Sequence, residues 1–354
     1  MDPALADLTE RVRAARAAHT PLCVRAGGTK DFYGNEPRGE RLDPRAYRGI
    51  VDYEPSELVV TARCGTPLAE LESELAAHGQ MLPFEPPHFG EGATVGGCIA
   101  AGLSGPRRAS AGAVRDFVLG AVLLDGRAQV LHFGGTVMKN VAGYDVARLL
   151  AGSLGTLGLI AQASIKVLPL PAEQATLQLE MDETGALARM NAWAGQPLPI
   201  SATCWHAGRL AVRLSGSGPA LRAARERIGG QTVEPATAAQ LWQGVREQTV
   251  AFFEGPAPLW RLSVPSSAPA LRLGGEQLIE WGGALRWLRS SQPPASLRDG
   301  ATAAGGHATL FRGNDRSAGA FAPLSPALAD IHRRLKAQFD PDAVFNLGRM
   351  FKDL

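Results

Sequence analysis

Apolar positions recur at helical spacing at Leu5, Leu8, Val12 and Ala15, which predicts an amphipathic helix ending before Thr20-Pro21. Short apolar runs at Leu22–Val24 and Leu58–Ala62 predict strands, and Pro67 opens a helix whose Leu68, Leu71 and Leu75 share one face up to Gly79. Thr94 can cap a short helix opening at Val95-Gly96-Gly97. Two longer runs, Phe117–Leu124 and Ala128–Phe133, flank Asp125-Gly126-Arg127 and predict a hairpin. A brief helix is expected at Asp145–Leu150, then a long strand at Leu157–Leu168 that closes at Pro169-Leu170-Pro171.

After Pro171 the pattern changes to strand (Thr176–Met181), helix (Thr184–Ala194), strand (Ile200–His206), strand (Arg209–Ser215) and helix (Pro219–Ile228). That β-α-β-β-α order is the start of a ferredoxin-like layer. The class is therefore α+β, with one domain at 1–171 and a second at 172–354. Leu259–Val264 is a further strand, Gln277–Trp281 and Ala284–Leu288 form a hairpin across Gly282-Gly283, and Pro326–Gln338 is the last helix. Ala301–Gly306 is expected as a small-residue loop, and no internal repeat is visible.

Composition narrows the partners. Two domains suit 354 residues, and 45% hydrophobic with 20% charged residues is an ordinary globular balance. A net charge of +2 favours neither nucleic acid nor an anionic membrane. No apolar run approaches the roughly 18 residues of a membrane span, and 1–18 is amphipathic and charged rather than a signal peptide, so a cytoplasmic protein is expected. Cys23, Cys64, Cys98 and Cys204 are scattered without metal-ligand spacing, so no metal site is expected. The 41 glycines are the outlier, well above the roughly 7% average share.

Those glycines concentrate where chemistry is expected. The stretch 134–169 combines the polar group Lys139, Asn140, Tyr144 and Asp145 with a ladder of Gly152, Gly155 and Gly158 leading into a strand through Ile160. Glycine at that density lets backbone approach a ligand closely. Upstream, the strand 22–24 empties into Arg25-Ala26-Gly27-Gly28-Thr29-Lys30, which fits either a phosphate cradle or a tight turn. The segment 82–102 (LPFEPPHFGEGATVGGCIAAG) is stiffened by prolines including Pro86, presents a helix start at Thr94, Val95, Gly96 and Gly97, and ends at Gly102. Its Gly90-x-Gly92-x-x-x-Gly96 lacks the preceding apolar strand of a Rossmann fingerprint. Arg115-Asp116, at the hairpin entrance, fits a ligand contact or a surface ion pair.

Arg25-Ala-Gly-Gly-Thr29, Ala93-Thr-Val-Gly-Gly97, Val114-Arg-Asp-Phe-Val-Leu-Gly120 and Lys139-Asn-Val-Ala-Gly-Tyr-Asp145 with Gly152–Gly158 resemble, in order, the FAD-contacting segments of the vanillyl-alcohol-oxidase (PCMH-type) flavoproteins. GQMLPFEPPHFGEGAT, SGPRRASAGAVRDFVLG, GEQLIEWGGALRWL and FDPDAVFNLGRM narrow the resemblance to the FAD-binding-subunit branch of glycolate oxidases. It implies two α+β subdomains clasping FAD under a C-terminal domain that covers the flavin ring. Arg25–Lys30 and Thr94–Gly97 would hold the pyrophosphate. Lys139, Asn140, Tyr144 and Asp145, with Gly155–Ile160, would line the ribityl, adenine and ring side. It also implies glycolate or another small 2-hydroxy acid as substrate, a second FAD-binding subunit, and an iron–sulfur subunit through which any membrane contact would run.

The chain departs from the family pattern at several places. Thr29 stands where covalently flavinylated relatives carry histidine, so dissociable FAD is expected; His88 and Cys98 are the remaining attachment candidates. Leu154 replaces an acid, and Leu347 replaces a proline in Asn346-Leu347-Gly348-Arg349, which removes a fixed φ. Where relatives pair histidines, only Gly305-Gly306-His307 is found. Oxidation of a 2-hydroxy acid needs a cation for the carboxylate and a base for the hydroxyl proton. Arg261 or Arg286 and His307 are the candidates, and Trp281 and Trp287 are expected in the core or an interface. The readings left open are a catalytic FAD subunit, a non-catalytic flavin relay or scaffold, and a stand-alone alcohol oxidase.

Overall fold

The structure, a computed structural model, describes residues 2–136 and 145–352. Lys139, Asn140 and Tyr144 lie outside the described residues. Helix α1 (Pro3–Ala17) starts where Asp2 accepts the Ala4 N–H and Pro3 supplies a preset φ, and it buries Leu5, Leu8, Val12 and Ala15. The chain then forms a short parallel pair, β1 (Leu22–Val24) with β2 (Glu40–Leu42).

A five-stranded antiparallel sheet follows, built from β3 (Ile50–Glu54), β4 (Val59–Arg63), β6 (Val118–Leu124), β7 (Val130–Gly134) and β8 (Leu159–Lys166) in the order β3-β4-β8-β6-β7. A small ladder joins β5 (Gln80–Met81) to β9 (Leu168–Pro169). Helices α2 (Leu68–Ala77) and α3 (Val95–Ala101) pack their apolar faces on this sheet, sharing a core with Phe84 and Phe117. Three four-residue helices, α4 (Arg108–Ala111), α5 (Val114–Phe117) and α6 (Val146–Leu149), complete the lobe. The β6–β7 turn is closed by Asp125, whose Oδ1 accepts the N–H groups of Arg127 and Gln129.

The second lobe is an eight-stranded sheet of β10 (Glu173–Glu180), β11 (Ile200–His206), β12 (Arg209–Gly216), β13 (Gln231–Val233), β14 (Leu259–Ser263), β15 (Glu276–Glu280), β16 (Leu285–Arg289) and β17 (His307–Arg312). Its order is β13-β10-β12-β11-β15-β16-β14-β17. The first four strands have the 4-1-3-2 order of a ferredoxin-like unit, and the last four repeat it in mirror sequence, joined edge to edge through β11 and β15. The repeat is one of topology; the second unit has a loop where the first has helix α7 (Glu183–Ala194).

Strand parity separates the two faces of this sheet. Trp260, Leu262, Leu288 and Leu310 pack under α10 (Pro294–Ala303), and Leu210, Val212 and Leu214 under α7 and α8 (Gly218–Ile228). Residues of the other face, with α9 (Pro235–Glu247), share a core with Tyr33, Leu103 and Leu154 of the first lobe. Ala301–Ala303 close α10 rather than forming a loop, because Leu297 and Ala301 bury one helical face on the sheet.

The last segment does not stay with the second lobe, contrary to its expected place in a 172–354 unit. Helix α11 (Pro326–Phe339) and the tail after it contribute Phe339, Val344 and Phe345 to the apolar clusters of the first. Leu22 N–H donates to Val344 O at 2.7 Å, which anchors the tail beside β1.

Candidate functional site

The loop after β1 is held open from three directions. Asn346 Oδ1 accepts the Val24 N–H at 2.7 Å, Arg25 N–H donates to Leu42 O at 3.0 Å, and Arg349 Nη2 donates to the carbonyls of Lys30 and Asp31 at 3.2 and 3.1 Å. Gly28, at φ +72°, turns the chain in a region that disfavours side chains. The result is a run of amides, Gly27, Gly28, Thr29 and Lys30, that donate to no other described residue. Unpaired adjacent N–H groups form an anion-binding concavity. A cavity bounded by this loop, Thr94, Gly97, Ala101 and Leu154 lies over them.

Close backbone packing sets the shape of that cavity. A Cβ on Gly27 would lie 1.8 Å from the carbonyl oxygen of Gly92, so the loop and the 90–92 turn touch backbone to backbone. Arg25 Nε pairs with Asp31 Oδ2 at 2.6 Å, and Lys30 Nζ donates to His88 O at 3.1 Å, its ammonium lowered in pKa by burial. Both cations border the cavity while tied to neighbours.

Other expected ligand residues carry structural duties in the fold. The amides at the start of α3 are occupied: Val95 donates to Thr66 O, Gly96 to Cys64 O and Gly97 to Thr94 Oγ1. Of this turn, Thr94 and Gly97 line the cavity, and the amides of Val95, Gly96 and Gly97 are engaged within the fold. Val95 and Ile160 have buried side chains in the first-lobe core, and Pro86 is buried. Gly102, Gly155 and Gly158 permit close packing, since a Cβ on each would fall within 2.7 Å of Gly152 Cα, Asn346 Nδ2 and Leu124 O respectively. Arg115 and Asp116 are exposed and 3.9 Å apart, with Asp116 accepting the Ala113 N–H. Asp145 caps α6 by accepting the Arg148 N–H.

Two tail residues absent from the expected site hold it together. Asn346 accepts from Val24 and donates to Leu154 O at 2.6 Å, bridging β1 to the glycine ladder, and Leu347 in place of proline leaves those bonds intact. Arg349 clamps the 30–35 loop. Buried donors of this kind are silent in sequence because their partners lie more than 190 residues away.

The three catalytic candidates separate by sheet face. Arg286 pairs across β16 with Leu262 and Ile279, which aims it at the helices. It is fully buried, donating Nε to Gly283 O, Nη1 to Pro269 O and Nη2 to Ala268 O. A guanidinium so committed has no place for a substrate carboxylate, and the structure removes Arg286 from the candidates. Arg261, opposite Trp287 and Thr309, faces the first lobe and stacks 5.4 Å from the Trp281 ring. His307 lies on that same face, and desolvation of its ring with the Arg261 charge lowers its pKa, so the imidazole is neutral at pH 7.

Between the lobes, Trp281 and Trp287 are buried, and Trp287 Nε1 donates to Glu280 Oε1 at 2.7 Å. Desolvation pushes the Glu280 carboxyl up to about 7, against the Trp287 hydrogen bond and the charges of Arg261 and Arg213, with Glu85 acting in the same direction as burial. Above the unfolded carboxyl value of about 4.3 the folded chain holds the extra proton. Stability therefore falls as pH rises toward 7 and levels off beyond it, a change of about 4 kcal/mol at 1.36 kcal/mol per unit. Glu280→Gln, which keeps the acceptor for Trp287, is expected to flatten this slope in urea midpoints measured at pH 5 and pH 8.

Residues 4–134 match the family model described as an FAD binding domain. Over 347 residues the chain is 50% identical to the glycolate oxidase subunit GlcE of Escherichia coli (strain K12), covering 98% of this chain and 97% of that one. It is 37% identical over 153 residues to a D-lactate dehydrogenase of Archaeoglobus fulgidus, covering 42% of this chain and 33% of that one. The solved structure of an alkyldihydroxyacetonephosphate synthase shares the fold, with a TM-score of 0.66 at 15% identity over 96% of this chain and 73% of that chain. The near-full-length match, together with a cavity walled by glycine-rich turns, leads to one conclusion: the chain belongs to the GlcE family of FAD-binding glycolate oxidase subunits.

Proposed function

We propose that this chain is the FAD-carrying subunit of a multi-subunit glycolate oxidase, oxidising glycolate to glyoxylate and passing electrons to an iron–sulfur partner, with a second flavin subunit in the complex. The observation that carries the reading is the run of unpaired amides from Gly27 to Lys30 beneath a cavity whose walls exclude side chains at Gly27. Those amides would hold the pyrophosphate, and Gly97, Ala101 and Leu154 would lie along the ligand. Bound there, FAD supplies the two-electron acceptor. Arg261 would hold the substrate carboxylate, and neutral His307, on the same sheet face, would take the hydroxyl proton.

The cofactor is proposed to be dissociable. Position 29 is threonine, His88 Nε2 is engaged with Glu72 Oε2 at 2.8 Å, and the buried Cys98 thiol is pushed up to about 12 by desolvation. A thiol so protonated is a poor nucleophile. No helix among the described residues is long and apolar enough to cross a membrane, which suits attachment to a membrane only through partners.

A relay without substrate chemistry is the second reading, favoured by the commitment of Arg286 to three carbonyls. Anaerobic addition of glycolate to the flavin-loaded chain separates the two. Bleaching of the flavin band in the isolated chain supports the oxidase reading. Bleaching only after the partner subunits are added supports the relay, and none in either case contradicts both.

A further inference from the structure

Half-buried Arg312 stands apart from the buried arginines because no acceptor among the described residues takes its guanidinium. In the β14·β17 ladder Trp260 pairs with Leu310 while Leu259 pairs with Arg312, so Phe311 is an extra residue in a β-bulge. A bulge re-aims a side chain. Parity without it would send Arg312 to the helix face; with it, both Phe311 and Arg312 turn toward the first lobe. The guanidinium carbon lies 4.4 Å from the Phe32 ring centroid, 5.2 Å from Phe89 and 5.7 Å from Phe311. These rings fix the plane of the guanidinium and leave its edge for hydrogen bonding.

That edge meets no acceptor among the described residues, for Arg312 has no hydrogen bond or ion pair with any of them. It borders a cleft of about 460 Å³ whose far wall is the 253–258 loop. Arg289 pins that loop by donating to the carbonyls of Phe252, Phe253, Gly255 and Ala257. Arg289 thereby adds a second positive charge without blocking the cleft. The one carboxylate on the lining, Asp315, accepts the Ser317 N–H at 2.9 Å.

We propose that Arg312 is the anchor of an anion subsite in this cleft, selective for the carboxylate of a small monocarboxylic acid. A planar fork held by stacking matches a carboxylate bidentately. Asp315 on the same wall disfavours a dianion such as phosphate. The subsite goes beyond the proposed flavin chemistry, because it binds its ligand without any redox step.

Saturation-transfer NMR with glycolate, and separately with inorganic phosphate, tests it on the flavin-loaded Arg261→Gln chain, which lacks the proposed catalytic carboxylate contact, in the absence of partner subunits. The expected result is glycolate binding that weakens about tenfold or more in Arg312→Met, which keeps an apolar stem over the three rings. Arg312→Lys should retain part of the affinity. Unchanged unfolding midpoints would show that the rings remain packed in each variant. Full glycolate affinity when Arg312→Met is added, tighter binding of phosphate than glycolate, or no glycolate binding by the Arg261→Gln parent would each overturn the proposal. Flavin bleaching plays no part in these readouts, so a failure here is distinct from a failure of the oxidase reading.

Discussion

Gly27→Ala is expected to strip the protein of most of its flavin. The new methyl would sit 1.8 Å from Gly92 O and 2.4 Å from its carbonyl carbon, both backbone atoms that no rotamer change can move aside. The 25–30 loop and the 90–92 turn must separate, and the amides of Gly27–Lys30 lose their common direction. Overpacking of this kind costs about 1–3 kcal/mol, which corresponds to roughly a fivefold to 150-fold loss of FAD affinity when it falls on the binding loop. Fluorescence titration of reconstituted apoprotein with FAD measures it. Gly195→Ala is the control: that glycine has φ −85°, and a methyl added there would meet nothing within 4 Å, so affinity should not change.

Asp340→Ala is expected to destabilise the folded chain by about 3–5 kcal/mol, the usual cost of removing one partner from a buried ion pair. Asp340 is 1% exposed, and its oxygens accept Lys336 Nζ at 2.6 Å and the amides of Val344 and Phe345. Lys336 Nζ also donates to Thr156 O and Phe345 O. The substitution leaves an ammonium and two amides buried without their acceptor, at the point where the tail enters the first lobe. Urea unfolding should show a lower midpoint. Because Phe345 precedes Asn346, flavin retention should fall with it; a midpoint within about 0.5 kcal/mol of wild type would show that the tail anchors elsewhere.

Local features are readable from the residues alone. The face of Leu5, Leu8, Val12 and Ala15, the Asp125-Gly126-Arg127 turn and the Thr94 cap each depend on neighbours within a few positions, and each is found. The Arg25–Lys30 loop is readable for the same reason: its paired glycines follow a strand directly. What stays hidden depends on distant partners. Arg261 and Arg286 both sit on strands buried on two faces, so alternation cannot say which arginine meets the helices and which meets the other lobe. Arg312 needs the bulge opposite Leu259, a register set by residues some fifty positions away. Thr94–Gly97 reads as a free helix start because Cys64 and Thr66, which occupy its amides, lie on another loop.

The central claim is that the chain holds FAD through the Gly27–Lys30 amides without a covalent bond. The most direct test is to denature the purified, flavin-loaded chain in acid, separate precipitate from supernatant, and identify the flavin in each by chromatography. The account predicts a colourless pellet and free FAD in the supernatant, equimolar with the chain. Flavin remaining with the pellet, or no FAD bound after reconstitution, would contradict it.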